Sequence, residues 1–162
     1  MVNQKMRLSK NLPLRSGVGV VLLNSQNKIF VARRIDNPKN FWQMPQGGID
    51  KNENYLKAAL RELKEETNIT SVELIKEIDD WYIYELPNYL LGKIWKGKYR
   101  GQKQKWFVMK FTGEENEINL KTKNPEFFEW KWIEKEKLTE VIVKFKLEVY
   151  KKILEQLKKI LD

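Results

Sequence analysis

The chain contains neither cysteine nor histidine. The first absence excludes disulfides and thiol nucleophiles, and the second excludes imidazole acid–base chemistry and the usual zinc sites. Any catalysis must therefore run on carboxylates, lysine, arginine, hydroxyls and metal. Long hydrophobic runs are also missing. The apolar stretch Val18 to Leu23 is far too short to span a bilayer, and no small-residue cleavage site follows it. Neither a membrane anchor nor a signal peptide is expected, and the cytoplasm is the expected compartment. With 162 residues and 41% hydrophobic content, the chain suits one well-cored domain spanning residues 1–162, and a monomer is the favoured state.

A formal net charge of +9 suits a polyanionic partner. The excess is mostly lysine, however, and the abundance of Lys, Asn and Ile equally fits a biased genome, so charge supports a nucleic-acid substrate without establishing one.

Arg15 to Leu23 and Lys28 to Arg33 are β-rich runs joined by the turn-forming Asn24-Ser25-Gln26-Asn27, and together they predict a hairpin. A loop through Phe41-Trp42-Gln43-Met44-Pro45-Gln46 leads to Gly47-Gly48. Beyond it, Tyr55 to Thr67 reads as helix, Ser71 to Leu86 as extended, Pro87 to Gly101 as irregular, and Lys105 to Phe111 and Phe127 to Ile133 as strands. From Lys144, Leu147, Tyr150, Ile153, Leu154, Leu157, Ile160 and Leu161 follow a helical period with lysines opposite, which predicts a closing helix packed on the sheet. The implied fold class is α+β, a mixed β-sheet between helices.

The most specific pattern runs from Gly47 through five residues to Glu53, then seven residues to Arg61-Glu62-Leu63-Lys64-Glu65-Glu66-Thr67-Asn68-Ile69. On a helix, Glu62, Glu65 and Glu66 stand at i, i+3 and i+4 and share one face. Like charges at those spacings destabilise an isolated helix and ask for a cation; all-oxygen ligation suits Mg2+ or Mn2+. A solvated acidic face would explain the glutamates alone. Gly47-Gly48, where backbone must turn sharply and approach a ligand, and Arg61, placed to orient an acid, shift the balance toward a site.

This stretch resembles the Nudix box, the signature of hydrolases acting on nucleoside diphosphates linked to another group, and it matches at Gly47, Glu53, Arg61, Glu62, Leu63, Glu65, Glu66 and Ile69. The family's glycine after the helix is Asn68 here, and Asn is the residue that best replaces Gly in a left-handed helix cap. The resemblance implies an α/β/α sandwich. Flanking motifs, Trp42 to Gly48, Gly101-Gln102-Lys103-Gln104-Lys105-Trp106-Phe107, Pro125-Glu126-Phe127 and Trp130-Lys131-Trp132, are similar to those of bacterial RNA pyrophosphohydrolases and the related diadenosine polyphosphate hydrolases. Those motifs do not separate the two activities.

Carried over residue by residue, the resemblance implies that Glu62, Glu65, Glu66, Glu126 and the Gly47 carbonyl hold two or more Mg2+ or Mn2+ ions, with Glu53 and Gly48 in support and Arg61 beside the catalytic acids. Arg15, Arg34 and Lys146 match positions that meet phosphates or RNA, Phe145 one that stacks a base, and Tyr84 is a candidate for the same wall. Since histidine is absent, the general base is a carboxylate; Glu62 matches the favoured position, with Glu65 and Glu66 as alternatives. The implied substrates are 5′-triphosphorylated RNA or a dinucleoside polyphosphate. A non-catalytic module gripping single-stranded RNA through aromatics and lysines is the competing class, and a decayed box would have favoured it.

Overall fold

The computed structural model describes residues 11–37 and 39–162. Strand β1 (Leu14–Leu23) and strand β2 (Ile29–Arg34) form the expected antiparallel hairpin, with Leu23 opposite Ile29. Asn24 builds its turn. The side-chain oxygen accepts from the backbone N–H groups of Gln26 (3.0 Å) and Lys28 (2.9 Å), and Asn27 takes the left-handed conformation with φ 59°.

Short strand β3 (Gln46–Gly48) pairs antiparallel with Gly17 to Gly19 of β1. Helix α1 (Tyr55–Thr67) leads to strand β4 (Val72–Glu85), which pairs antiparallel with strand β5 (Gly101–Phe111). β5 runs parallel to β1, and strand β6 (Phe127–Ile133) pairs antiparallel with β2. The mixed sheet therefore has the order β4-β5-β1-β2-β6, with β3 joined to β1 off that path. A single turn, α2 (Leu138–Val141), precedes the closing helix α3 (Leu147–Leu161).

Residues Val18 to Leu23 are continuously apolar apart from Gly19 because β1 is covered on both faces. Val18, Val20 and Leu22 pack with Ala58, Ala59 and Leu63 of α1, whereas Val21 and Leu23 pack with Val149, Tyr150, Ile153 and Leu157 of α3. The result is the expected α+β arrangement, a mixed sheet between helices. Among the described residues no helix is long and apolar enough to cross a membrane.

Two boundaries differ from the sequence reading by more than one residue. β5 begins at Gly101 rather than Lys105, because the buried Gln102 and Gln104 are tied into a chain of side-chain bonds: Gln104 Nε2 donates to Gln102 Oε1 at 2.7 Å, and Trp106 Nε1 donates to Gln104 Oε1 at 3.0 Å. The closing helix begins at Leu147, and Lys144–Lys146 form a tight 3₁₀ turn instead. That turn leaves Phe145 on the wall of a cleft rather than on the packed face of α3.

Candidate active site

Helix α1 forms because its ends are chemically closed. The Asn54 side chain accepts from Lys57 N at 2.8 Å, and Asn68 adopts φ 63°, ψ 9° with its N–H bonded to Lys64 O, as a left-handed cap requires. The helix buries Ala58, Ala59 and Leu63, so the acids spaced around Leu63 face the end of the sheet where β3 ends.

Arg61 ties these acids to the preceding strand. Its guanidinium donates to Glu53 Oε2 (2.8 Å) and Oε1 (2.9 Å), to Glu62 Oε1 (2.9 Å), to Glu65 Oε2 (3.1 Å) and to the Gly48 carbonyl (2.9 Å). The Arg61 bonds, followed by a bond from the Asp50 N–H, hold the Glu53 carboxyl down to about 2. Glu53 is thus committed to Arg61. Glycines at the end of β3 permit a close approach: a Cβ at Gly47 would collide with the Glu62 carboxylate, and one at Gly48 with the Arg15 guanidinium.

The remaining acids crowd one another. Burial pushes Glu62 up to about 7 against the pull of Arg61, and the Glu65 and Glu126 charges push in the same direction. Glu66 is almost completely buried and neither of its oxygens has a hydrogen-bond partner; burial first, then Glu126 and Glu62, raise it well above the usual carboxylate range. Glu65 differs from both, being largely exposed and turned to Arg61. Among the described residues no three acidic side chains already converge as a ligand set. A hard divalent cation nonetheless fits Glu62, Glu66 and Glu126: among the described residues the buried Glu66 oxygens have no hydrogen-bond partner, and the Arg34 charge does not offset burial and the repulsion from the other two acids.

A cleft of about 660 Å³ opens beside Glu62 and Glu126. Arg15, Arg34, Tyr84, Phe145, Lys146, Gly47 and Gly48, singled out in the sequence, all line this cleft. Phe145 and Tyr84 form the aromatic wall, with ring centroids 5.8 Å apart. Lys146 lies 5.4 Å from the Tyr84 ring and reaches Gln43 Oε1 at 3.3 Å. Its surroundings are not the solvated rim that its sequence context suggests. Burial, then the Arg34 charge, lowers its ammonium to about 7.

Several cleft residues were given no role by sequence. Asp36 clamps Arg34 through two 2.7 Å bonds, orienting the guanidinium and leaving it less free for phosphate. Trp95 lies under the Arg15 guanidinium at 5.3 Å and is carried on consecutive left-handed residues, with φ 50° at Trp95, 56° at Lys96 and 70° at Gly97. Gln46 donates to the Tyr84 hydroxyl at 3.3 Å. Gln46 lies within the Trp42 to Gly48 motif, which the sequence singled out without a role, and nothing in Pro87 to Arg100 marks Trp95 as a cleft residue before the fold is known.

An acidic pair of high pKa, an arginine clamp from strand to helix, and an adjoining cationic, aromatic cleft define a carboxylate site built for phosphate chains. The NUDIX domain matches residues 13–156, and the chain belongs to this family. It is 66% identical to an RNA pyrophosphohydrolase of Pelagibacter ubique (strain HTCC1062), covering 94% of this chain and 96% of that protein. It is 49% identical to an RNA pyrophosphohydrolase of Roseobacter denitrificans (strain ATCC 33942 / OCh 114), covering 89% and 91%. The resemblance read from the flanking motifs is therefore shared with relatives across nearly the whole chain. Among solved structures, the E. coli dihydroneopterin triphosphate pyrophosphohydrolase superposes with a TM-score of 0.69 at 19% identity, covering 89% of this chain and 99% of that one. A C. elegans Ap4A hydrolase complex gives 0.62 at 20% identity, covering 88% and 98%. These two likenesses concern the fold.

Proposed function

We propose that this protein is a metal-dependent RNA pyrophosphohydrolase that converts the 5′-triphosphate end of RNA to a 5′-monophosphate and releases pyrophosphate, acting in the cytoplasm. The observation that carries this reading is the cleft itself, where Phe145 and Tyr84 stand beside Arg15, Arg34 and Lys146 and the whole wall abuts Glu62. Aromatic platforms interleaved with cations are what single-stranded nucleic acid needs, and stacking is worth on the order of 1–3 kcal/mol per base. Near-complete alignment with relatives named RNA pyrophosphohydrolase supports the same reading.

Glu62, Glu66 and Glu126 would hold the divalent ions, Mg2+ or Mn2+, with Glu65 and the Gly47 carbonyl as further ligands. Bound there, such ions polarise the phosphate oxygens and acidify a water molecule. Glu62 accepts the water proton as the water oxygen bonds to phosphorus and the anhydride bond between the α- and β-phosphates breaks. Arg61 is a positioning residue, holding Glu62 against Gly47 through bonds to both elements. Arg15, Arg34 and Lys146 stabilise negative charge on the phosphate chain.

Turnover of 5′-triphosphorylated RNA and diadenosine tetraphosphate, compared side by side with magnesium, tests the reading. RNA is expected to be converted faster, with pyrophosphate as the released product. Faster cleavage of the dinucleotide would overturn the RNA assignment, and RNA binding without turnover of either substrate would return the chain to the class of binding modules.

A further inference from the structure

The acids of the site are shared between two adjoining cavities. Glu126 lines both, Glu62 faces only the aromatic cleft, and Glu66 faces only a second pocket of about 610 Å³. The described residues that line the second pocket are all polar or charged, and the cations Arg61, Lys64 and Lys123 face the carboxylates Glu65, Glu66 and Glu126 there. Lys64 reaches it because it follows Arg61 by three positions on α1; Lys123 comes from the loop that leads into β6. Arg61 is spent on its carboxylates, but neither lysine has an ion-pair partner among the described residues.

Two unmet polar groups belong to residues of the same wall. Both oxygens of Glu66 and the Thr122 hydroxyl are buried without a hydrogen-bond partner, and both residues line this pocket. Unpaired buried groups of this kind are costly unless something satisfies them. A metal-chelated phosphate end would do so, because its cation answers Glu66 while its oxygens answer the hydroxyl and the two ammonium groups. Among the described residues no aromatic side chain lines the pocket, so it lacks the ring platform that the aromatic cleft offers a nucleobase.

We propose that this second pocket receives the end of the polyphosphate that carries no nucleoside and holds it as the leaving pyrophosphate, with Lys64 and Lys123 as its cations. The inference rests on the RNA hydrolysis assigned to the same site and names the subsite for its leaving group. As the water oxygen bonds to phosphorus and Glu62 takes its proton, the bridging oxygen departs with the β- and γ-phosphates, and the two ammonium groups neutralise the charge they gain. A dinucleoside polyphosphate would have to put its second adenosine into a polar pocket without a ring to meet it. The pocket therefore selects for a free phosphate end.

Calorimetric titration of inorganic pyrophosphate in magnesium tests this with the parent, a Lys64→Gln/Lys123→Gln double variant, and a Lys152→Gln/Lys159→Gln control that removes the same charge from exposed positions of α3. Both pairs are solvent-facing, so thermal melts should show all three proteins folded. The double variant is expected to bind pyrophosphate about tenfold or more weakly, with the control near the parent and adenosine monophosphate binding unchanged in all three. Equal losses in both variants, no loss in the double variant, or no pyrophosphate binding by the parent would overturn the proposal. A parent that binds pyrophosphate through the two lysines yet leaves triphosphorylated RNA intact would keep the pocket and remove the assigned reaction. Hydrolysis of RNA with lysine-independent pyrophosphate binding would do the reverse.

Discussion

The Arg61 guanidinium donates to the Gly48 carbonyl at 2.9 Å, joining the middle of α1 to the last residue of β3. Because the same side chain also holds Glu53 and Glu62, it sets the spacing between the strand that presents Gly47 and the helix face that presents the candidate base. Lysine keeps the charge but lacks the planar fork that serves these partners together. Arg61→Lys is expected to lower kcat roughly a hundredfold with KM little changed, as misplacement of a reacting group does. Steady-state kinetics on triphosphorylated RNA checks this; a loss confined to KM would make Arg61 a substrate ligand instead.

Burial, together with Glu126 and Glu62, keeps Glu66 protonated to unusually high pH, and burial raises Glu62 from 4.5 to about 7. Between the unfolded and folded pKa values the native state binds more protons than the unfolded chain, so this contribution is present below pH 4.5 and lost as pH rises through about 7 for Glu62. In the metal-free protein, Glu66→Gln is expected to raise the melting temperature at pH 8 and to flatten its fall between pH 5 and 8. Magnesium should stabilise the parent more at pH 8 than at pH 5.5. Glu65→Gln, at an exposed position already paired with Arg61, should leave metal-free stability nearly unchanged while lowering turnover. Melting curves in chelator and in magnesium decide these; a Glu66→Gln protein less stable than the parent at pH 8 would contradict the account.

The helix carrying the acids was legible because its signals are local: Asn54 and Asn68 close its ends, and Ala58, Ala59 and Leu63 mark its buried stripe. The charge state of Lys146 was not, because neighbours from distant parts of the chain create it. Tyr84 comes from β4, Gln43 from the loop before β3, and the residue itself from a turn that interrupts what reads as continuous helix. The Arg34 to Asp36 clamp is local in sequence, but nothing distinguishes it from a solvated charge pair until both are seen on the cleft wall. The polar run Gln102-Lys103-Gln104 hid the start of β5 for a similar reason, since the bonds from Gln104 to Gln102 and from Trp106 to Gln104 that accompany its burial are seen only in the folded sheet.

Gly47 gives a test of packing rather than charge. A Cβ there would meet the Glu62 carboxylate, so Gly47→Ala must push the candidate base away from β3. Turnover is expected to fall by about two orders of magnitude, in line with a displacement near 1 Å at a reacting group, while the fold survives. Activity near that of the parent, with an unchanged melting temperature, would show that the Glu62 position in this structure is not the working one.

Lys146 supplies a second pH dependence of opposite sign. With its folded pKa lowered to about 7, the native state binds fewer protons than the unfolded chain from there up to 10.5, so its contribution to stability rises with pH across that interval. Substrate binding needs the charged form, however, and kcat/KM should lose this contact as pH rises through about 7 in the free enzyme. Lys146→Gln is expected to weaken RNA affinity roughly tenfold below pH 7 and to remove the alkaline fall assigned to this group. Persistence of the same alkaline limb in the variant would assign it to another residue.

Phe145 separates the RNA reading from simpler nucleotide chemistry. Its ring lines the cleft beside Tyr84, at a centroid distance of 5.8 Å, and it also packs against the core beneath α3, so a substitution can act through binding or through stability. If the second nucleotide of an RNA stacks there, Phe145→Ala removes roughly 1–3 kcal/mol of RNA binding, a loss of about five- to a hundredfold in kcat/KM. A mononucleoside triphosphate has no second base, and its hydrolysis should stay near the parent level. Diadenosine tetraphosphate, whose second adenine can use the same wall, should lie between the two. Running the three substrates below the melting temperature of the variant separates lost stacking from lost fold. Parallel losses on all three would make Phe145 a packing residue, and the wall it shares with Tyr84 would no longer support RNA as the substrate.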